Sequence, residues 1–257
     1  MAFKNLILLT AAFSALTGAV PVSPRQAPAE LPLVVIEGST PNVTALEQSQ
    51  SAEILSVFHT RLGPNGTSKL VEADVRAADA FWHRTLSNAT GGHVGGTTRI
   101  QAFAPTRVFN ATSVFVWFAG AGTGWPNDFL ETSPQHYLSF SGAGTSDPDA
   151  AIETIETWGS GPTTYFKGKP APKPAWVPAL DEFKAQFVLV LTLKDGTTFA
   201  HTLTAARDLE DGSGVELYQG IWVPDNVPKY VLTGLTEHIT VEFSNWLKFS
   251  YRKAIGA

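Results

Sequence analysis

Hydrophobic side chains recur at helical spacing in the first part of the chain. Thr44 and Glu47 stand in the order of a capping box, so we predict a helix that begins there and continues to about Leu62. The Gly-Pro-Asn-Gly run at 63–66 ends this helix, and a second helix is predicted over 68–86. Each helix carries an apolar stripe, made of Ile54, Leu55, Phe58 and Leu62 in the first and of Val71, Val75, Ala78 and Trp82 in the second.

Strand-like patterns follow the two predicted helices. Residues 99–104 alternate between polar and apolar, and 113–119 form a continuous apolar run typical of a strand buried on both faces. Residues 135–141 form another short strand. The Pro-rich segment 168–178 can be neither helix interior nor central strand, so we predict an extended surface crossing there.

The last third of the chain is predicted to be mostly strand. The strands 184–193 and 197–205 flank Asp195-Gly196, which has the sequence of a two-residue hairpin turn. Such a turn pairs Thr192 with Phe199, Val190 with His201 and Val188 with Leu203. Further strands are predicted at 215–223, 229–232 and 237–243.

The order of these elements predicts an α+β fold. N-terminal helices packed on a curved, mostly antiparallel sheet that encloses one pocket would account for it. A β-sandwich with a helical cap fits almost as well. No shift in composition divides the chain after the first 32 residues, so we expect 33–257 to form a single globular domain.

Composition narrows the class of protein. Of the 257 residues, 44% are hydrophobic and 16% are charged, which is too apolar for a disordered chain. The formal net charge of -5 gives no basic surface, so we expect no nucleic-acid partner. The chain has no cysteine, which means that it has no disulfides and that thiol chemistry is excluded.

The N-terminal residues have the features of a secretory signal peptide over 1–19. Lys4 precedes a short apolar run, and 17–19 offer small residues for cleavage. Residues 20–32 follow as an extended, Pro-rich leader, and no apolar run is long enough to span a membrane. Four Asn-x-Ser/Thr sequons agree with export, at Asn42, Asn65, Asn88 and Asn110. We therefore expect a glycoprotein that is secreted or held in the secretory pathway.

Several well-defined catalytic motifs are missing from the sequence. It has no Gly-x-Ser-x-Gly elbow, and the Gly-rich run at 120–124 leads into Trp125-Pro126 rather than opening a helix. This argues against a dinucleotide or phosphate site. Neither His-x-His nor His-Glu-x-x-His is present, so we expect no dedicated metal site and no cofactor.

Six histidines remain as candidates for acid–base chemistry. Asp79 and His83 lie four residues apart on the second predicted helix, where the carboxylate could orient the imidazole and raise its pKa. The alternative is an exposed helix pair of little energetic value. His93 lies in a Gly-rich run that we interpret as a flexible connector, whereas His59 and His238 are interpreted as structural or exposed.

His201 is a stronger candidate because of its place in the predicted hairpin. It alternates with Phe199 and Leu203 on an otherwise apolar face. It is therefore either a core residue bonded to the backbone or an acid–base group whose pKa is lowered by burial.

His136 is the other strong candidate, since it begins a strand after a loop rich in rings and carboxylates. Trp125, Asp128 and Tyr137 are candidate substrate-binding residues at the mouth of an apolar pocket, and an ordinary surface loop is the alternative. Aromatic residues could instead stack on sugar rings if they are exposed, at Trp125, Trp176 or Trp222.

One short motif and the general layout resemble a known family. The motif is Ser133-Pro134-Gln135-His136-Tyr137 at the start of a predicted strand, in a chain with a signal peptide and no cysteine. With this motif and layout, the chain resembles secreted fungal ketosteroid-isomerase-like proteins of polyketide and maleic-anhydride biosynthetic clusters, dimerising cyclases among them. The resemblance covers the layout of about 45–250. It implies a cone-shaped α+β fold, a hydrophobic pocket and cofactor-free acid–base chemistry.

We therefore expect a secreted, cofactor-free enzyme of isomerase or cyclase type that acts on a small apolar metabolite in secondary-metabolite biosynthesis. His201 or His136 would be the acid–base group, with Asp79 and His83 as a partner from the helix. The expected partner is a small-molecule substrate, and a homodimer stays open. Two other classes remain: a non-catalytic secreted glycoprotein that binds carbohydrate, lipid or a host component, and a glycosidase whose two carboxylates the sequence does not identify.

Overall fold

The computed structural model describes residues 43–104, 109–120, 130, 133–141, 145–146, 149–183 and 185–255. Its helices include α1 (Val43–Leu70), α2 (Glu72–Asn88), α3 (Ala111–Gly120) and α4 (Lys229–Ile255). Its strands are β1 (His93–Phe103), β2 (His136–Ser141), β3 (Ile152–Thr157), β4 (Thr163–Pro170), β5 (Ala185–Thr192), β6 (Thr198–Asp208) and β7 (Gly214–Pro224).

The strands form one curved sheet in the order β1-β7-β6-β5-β4-β3-β2. Every neighbouring pair is antiparallel. The predicted α+β class is confirmed, with helices first and then a curved antiparallel sheet around a pocket. The β-sandwich alternative is wrong, because the described strands belong to a single sheet whose inner face is covered by helices. The long helix α4 after the sheet was not predicted.

The two faces of the sheet have different coverings. On the inner face, α3 packs against β5, β6 and β7, and α4 packs against β1 and β7. On the outer face, Val177, Leu180 and Phe183 of the segment 171–183 pack against the strands. The predicted crossing at 168–178 is confirmed only from residue 171 onward, where the chain covers the outer face and includes a turn closed by the hydrogen bond from Val177 N–H to the Pro174 carbonyl. The exclusion of a central strand is wrong for its first three residues, which belong to β4 between β3 and β5.

Two N-terminal helices are present as predicted, but α1 continues past the predicted end near Leu62 to Leu70, and α2 begins at Glu72 rather than at 68. The break predicted at 63–66 is a bend in α1 at Gly63, whose φ of 63° lies in the left-handed region that glycine tolerates. Of the second predicted stripe, Val71 just before α2 and Ala78 and Trp82 within it are buried at 5%, 1% and 0% exposure, and Val75 is half-buried. In α1, by contrast, the stripe residues Ile54, Phe58 and Leu62 are exposed. Among the described residues, no helix is both long and apolar enough to cross a membrane.

The prediction of a buried strand at 113–119 is wrong, because these residues lie in α3. Asn110 caps the helix: its Oδ1 accepts the backbone N–H of Ser113 at 2.9 Å, and the Ser113 hydroxyl donates to the Asn110 carbonyl at 2.7 Å. A short apolar run is compatible with a buried strand or a buried helix, and here the capping residue starts a helix.

The strands predicted at 229–232 and 237–243 are also wrong, since both segments lie in α4. The β-branched residues of the second segment favour a strand by local propensity. Val231, Leu235 and Ile239, however, fall four residues apart and are almost fully buried in the core. Burial of this helical stripe outweighs the local preference, which is a weak one.

The predicted hairpin is confirmed in position and in most of its register. The observed pairs are Val188 with Leu203, Val190 with His201, and Thr192 with Thr198. The predicted pair of Thr192 with Phe199 is wrong, because the ladder is irregular between Leu191 and Thr192. Phe199 packs into the inner core instead of sharing the face of His201.

The interpretation of His93 as part of a flexible connector is wrong as well. His93 begins β1 and pairs with Pro224 in β7. Within this strand, a Cβ at Gly95 would lie 2.4 Å from Nε1 of Trp222. Gly95 thus serves close packing, whereas Gly91 precedes β1 and has a φ of 92°.

Helix α4 approaches the turn between β3 and β4 so closely that two glycines meet. A Cβ on Gly234 would lie 2.3 Å from the Trp158 carbonyl oxygen, and one on Gly159 would lie 2.6 Å from the Cα of Gly234. This contact fixes α4 against the end of β3, and His238 follows one helical turn later.

The contact predicts that Gly234→Ala destabilises the protein although alanine is the better helix former. Helix propensity favours alanine by about 1 kcal/mol, whereas forcing a methyl group against backbone atoms costs about 1–3 kcal/mol. We expect a lower urea midpoint for Gly234→Ala and a nearly unchanged one for Thr233→Ala, an exposed neighbour on the same helix. A midpoint for Gly234→Ala at or above the wild-type value would contradict this account of the helix contact.

Candidate functional site

A cavity opens on the inner face of the sheet beside α4. Much of its wall is apolar, with Phe166, Leu189, Leu191, Ile221 and Phe243 among the lining residues. The polar lining residues are His136, Thr154, Glu156, Thr202, Thr204, Gln219 and Glu242. The volume of the cavity is about 50 Å³. It is therefore narrow, with room for a few waters or for a small, slender group.

Two imidazoles and two carboxyl groups meet at the wall of this cavity. We call His136, Glu156, His238 and Glu242 the His–Glu cluster. Nε2 of His136 lies 3.0 Å from Oε2 of Glu156 and 3.7 Å from Oε1 of Glu242. Nε2 of His238 lies 3.5 Å from Oε1 of Glu156 and 3.6 Å from Oε2 of Glu242. The side chains of both histidines are only 1% exposed.

Three elements bring the cluster together. His136 begins β2 and stands directly opposite Glu156 of β3 in the antiparallel ladder. His238 and Glu242 are one turn apart on α4, so their side chains share a face of that helix. The edge of the sheet and the C-terminal helix therefore each contribute one imidazole and one carboxyl group.

Neighbouring side chains hold the cluster in orientation. Oε1 of Gln135 accepts the backbone N–H of Gly159 at 3.1 Å and lies 2.9 Å from Nδ1 of His238. The indole N–H of Trp158 donates to Oε1 of Glu156. Gln135 directly precedes His136 at the start of β2, and Trp158 directly follows β3, so each strand supplies a cluster residue together with a neighbouring support.

The two carboxyl groups have opposite pKa shifts. Burial raises the pKa of Glu156, but the neighbouring His238 and His136 lower that pKa by more, so it ends below its usual range. Burial raises the pKa of Glu242, and the negative charge of Glu156 raises it further against the opposing effect of the two imidazoles. Two neighbouring carboxyl groups whose pKa values are shifted in opposite directions are a usual arrangement for acid–base chemistry.

Of the predicted catalytic residues, His136 lies in the cavity wall and His201 does not. His201 is on the outer face of the sheet, where its ring centroid is 5.2 Å from that of Trp176 and 6.1 Å from that of His93. Burial lowers the pKa of His201, and His93 lowers it further. The sheet separates His201 from the cavity, since the next residue, Thr202, lines it.

The predicted pair of Asp79 and His83 lies on the surface of α2. Nε2 of His83 is 3.1 Å from Oδ2 of Asp195 in the turn between β5 and β6, and both side chains are about half exposed. Burial raises the pKa of Asp79, and the charge of Asp195 adds to that effect. Neither Asp79 nor His83 lines the cavity, so the structure does not bring this pair to His136.

The predicted substrate-binding residues are not at the described part of the cavity. Tyr137 is half-buried and packs with Val71 and Leu138 in a separate apolar cluster. Trp125 and Asp128 lie outside the described residues. Of the other candidate sugar-stacking residues, Trp222 is buried, and Trp176 is 43% exposed with one ring face stacked on His93 at 3.9 Å.

The sequons differ in exposure. Asn65 and Asn88 are exposed, whereas Asn110 is half-buried and caps α3 through its Oδ1. Asn42, the predicted signal peptide 1–19 and the leader 20–32 lie outside the described residues. The expectation of export stays a prediction.

Sequence reasoning missed Glu156, His238 and Glu242. His238 and Glu242 have the same four-residue spacing that drew attention to Asp79 and His83, but their segment was assigned to a strand. The sequence around Glu156 gave only a weak indication of a site. Glu156 and Glu153 are the two charged residues of β3, and the other four residues are isoleucine and threonine. A buried charge of this kind needs partners, and this could have pointed to the histidines.

No protein-family model and no curated protein sequence matches this chain. Among solved structures, it is similar to a START superfamily protein from Mycobacterium smegmatis, with a TM-score of 0.40, 13% identity, and coverage of 63% of this chain and 99% of that one. It is also similar to Ara h 8.0201, with a TM-score of 0.37, 10% identity, and coverage of 62% and 99%. It is similar as well to the ginseng major latex-like protein 151 from Panax ginseng, with a TM-score of 0.37 and 8% identity. That match covers 61% of this chain and 98% of that one. Similarity at this level leaves the function of this chain to be inferred from its own residues.

Proposed function

We propose that this protein binds a small, largely apolar molecule in the cavity beside α4 and catalyses an isomerase- or cyclase-type proton transfer on it. The observation that supports this most is the position of His136 and Glu156, buried and 3.0 Å apart, in the wall of a mainly apolar cavity. Apolar clefts with a few convergent polar groups are the usual form of small-molecule sites.

The apolar walls and the polar groups would have separate tasks. Phe166, Leu189 and Ile221 would hold the apolar body of the molecule and exclude water from it. The polar group of the molecule would meet His136 and Glu156, which can move a proton between two of its atoms once it is held in place. The narrow free space favours a small or flat substrate.

The location of the protein is part of the proposal. We propose export, on the basis of the signal-peptide features of 1–19 and the exposure of Asn65 and Asn88 in their sequons. The resemblance to secreted ketosteroid-isomerase-like proteins agrees with a cofactor-free reaction on a secondary metabolite, and it stays a prediction.

The other function classes have less support in the described residues. A carbohydrate-binding surface needs open ring faces, but Trp222 is buried and Trp176 is stacked on His93. A glycosidase needs two carboxylates on either side of a sugar bond. Glu156 and Glu242 instead share two imidazoles beside a narrow cavity.

The proposal is tested by chromatography and mass spectrometry of small molecules from the producing strain. Deletion of the chain should remove one compound and leave an isomer or an uncyclised precursor. We expect His136→Gln to lower the yield of that compound by about 10²–10⁴-fold, the usual contribution of an acid–base group. His201→Gln is the matched control and should leave the yield unchanged, because His201 is on the other face of the sheet.

The readout includes a check of folding, in which both variants should keep the wild-type circular dichroism spectrum. An unchanged profile on deletion would rule out the enzymatic function. An equal loss of product in folded His136→Gln and His201→Gln would show that the cavity is not the site.

A further inference from the structure

The hydrogen bonds of Gln135 fix the tautomer of His238. The backbone N–H of Gly159 can only donate, so the Gln135 atom that lies 3.1 Å from it must be the amide oxygen. The same oxygen lies 2.9 Å from Nδ1 of His238, which must therefore carry the proton. In the neutral imidazole, Nε2 then presents a lone pair to the interior of the His–Glu cluster.

That lone pair faces oxygen atoms rather than donors. Nε2 of His238 has no hydrogen-bond partner among the described residues, although its side chain is only 1% exposed. Its neighbours are Oε1 of Glu156 at 3.5 Å and Oε2 of Glu242 at 3.6 Å. A positive charge between them would stabilise electron-rich atoms that are buried and gathered in this way.

The distances distinguish a proton from a metal ion as that charge. A charge-assisted N–H···O bond would bring the atoms to about 2.7–2.9 Å. Two ligand atoms that each lie about 2.1 Å from the same metal ion are about 3.0 Å apart in octahedral geometry and about 3.4 Å apart in tetrahedral geometry. The 3.5 Å between His238 and Glu156 is longer than such a bond and close to this second range, and the 3.0 Å between His136 and Glu156 also falls within it.

We infer that His136, Glu156 and His238 bind one divalent first-row transition-metal ion beside the cavity, with Glu242 next to it. One ligand atom from each of the three residues lies within 4.8 Å of the other two. Two imidazoles and one carboxylate form a ligand set that suits Zn²⁺ or Fe²⁺ and leaves coordination positions open. This inference revises the sequence expectation of no metal site, and it stands on the ligand geometry. An ion bound to His136 and Glu156 would replace the cofactor-free proton transfer proposed for these two groups, whereas the binding of an apolar molecule in the same cavity does not depend on it.

The surroundings of the three ligands fit this assignment. Ligating histidines usually donate their other ring N–H to an acceptor that fixes the ring, as His238 does to Gln135. Glu156 is oriented in the same way by the indole N–H of Trp158. The free space of about 50 Å³ beside the cluster can supply water or a substrate atom to the open positions.

The test uses the full chain, freed of metal by chelation and dialysis and then titrated with Co²⁺, followed by visible absorption. We expect one Co²⁺ per chain and its displacement by one Zn²⁺. His238→Gln should weaken Co²⁺ binding by more than about 100-fold, since it removes a ligand. Gln135→Leu keeps every ligand and should weaken binding by about 10–100-fold through loss of the orienting hydrogen bond.

His83→Gln is the control, because His83 also lies beside a carboxylate but on the surface, and it should bind Co²⁺ like the wild type. If His238→Gln does not fold, Gln135→Leu carries the test. Absence of Co²⁺ and Zn²⁺ binding in the wild type, or equal affinities of wild type, His238→Gln and Gln135→Leu, would overturn the inference.

The two proposals fail in different ways. A metal that binds as expected in a chain whose deletion leaves the small-molecule profile unchanged would uphold the site and contradict the proposed function. If deletion changes the small-molecule profile but the chain takes up neither Co²⁺ nor Zn²⁺, the proposed function is supported and the metal site is contradicted.

Discussion

Trp82→Ala should destabilise the protein by about 3–5 kcal/mol, the usual cost of truncating a large aromatic side chain in a packed core. Trp82 is 0% exposed. Its ring centroid lies 4.7 Å from Phe199 and 5.8 Å from Trp158, and its indole N–H donates to the Thr164 hydroxyl at 3.0 Å. The substitution removes these ring contacts and one hydrogen bond and leaves a cavity in the core.

Urea unfolding followed by circular dichroism measures this effect. The matched control is Trp176→Ala, which makes the same chemical change at a ring that is 43% exposed, and which should cost about 1 kcal/mol or less. Similar losses of stability in the two variants would mean that Trp82 is not the centre of the core.

Trp82 also shows why part of this fold is predictable from sequence. It falls at helical spacing with Ala78 in α2, and both side chains are buried. The strands of the central hairpin are equally clear, since a two-residue turn and alternating side chains act locally. Local patterns of this kind decide structure when the tertiary contacts agree with them.

Helix α4 shows the limit of such reasoning. The β-branched residues around Ile239 favour a strand locally, and the helical spacing of Val231, Leu235 and Ile239 competes with that preference. The helix prevails because this stripe enters the core formed by the sheet and α3. No short window of sequence contains those partners, so the element could not be assigned from local pattern alone.

The site was predictable only in part for the same reason. His136 was identified from its place at the start of a strand, but its partners come from β3 and α4. Once α4 was assigned to strands, His238 and Glu242 could not be placed opposite the sheet. His201 was considered for the cavity because it alternates with apolar residues along a strand. Alternation shows which residues share a face of the sheet, but it does not show which face meets the cavity.

A double-mutant cycle on His238 and Glu156 should reveal strong coupling in the free energy of unfolding, measured in EDTA so that no metal contributes. His238→Leu leaves the buried carboxylate of Glu156 without one of its two imidazoles and should cost about 3 kcal/mol or more. Glu156→Leu should also be costly, because it leaves buried imidazoles and the indole N–H of Trp158 without their acceptor. The double variant removes the charge and its partner together, so we expect its cost to be less than the sum by at least about 1.5 kcal/mol.

The chain supplies its own control for this cycle. His83 and Asp195 form another imidazole–carboxylate pair, with 3.1 Å between Nε2 and Oδ2, but their side chains are 47% and 54% exposed. Because water screens this pair, the cycle of His83→Leu with Asp195→Leu should give a coupling below about 1 kcal/mol. If both cycles give the same coupling energy, burial does not strengthen the His–Glu cluster, and its place in the cavity wall would have no energetic consequence for the fold.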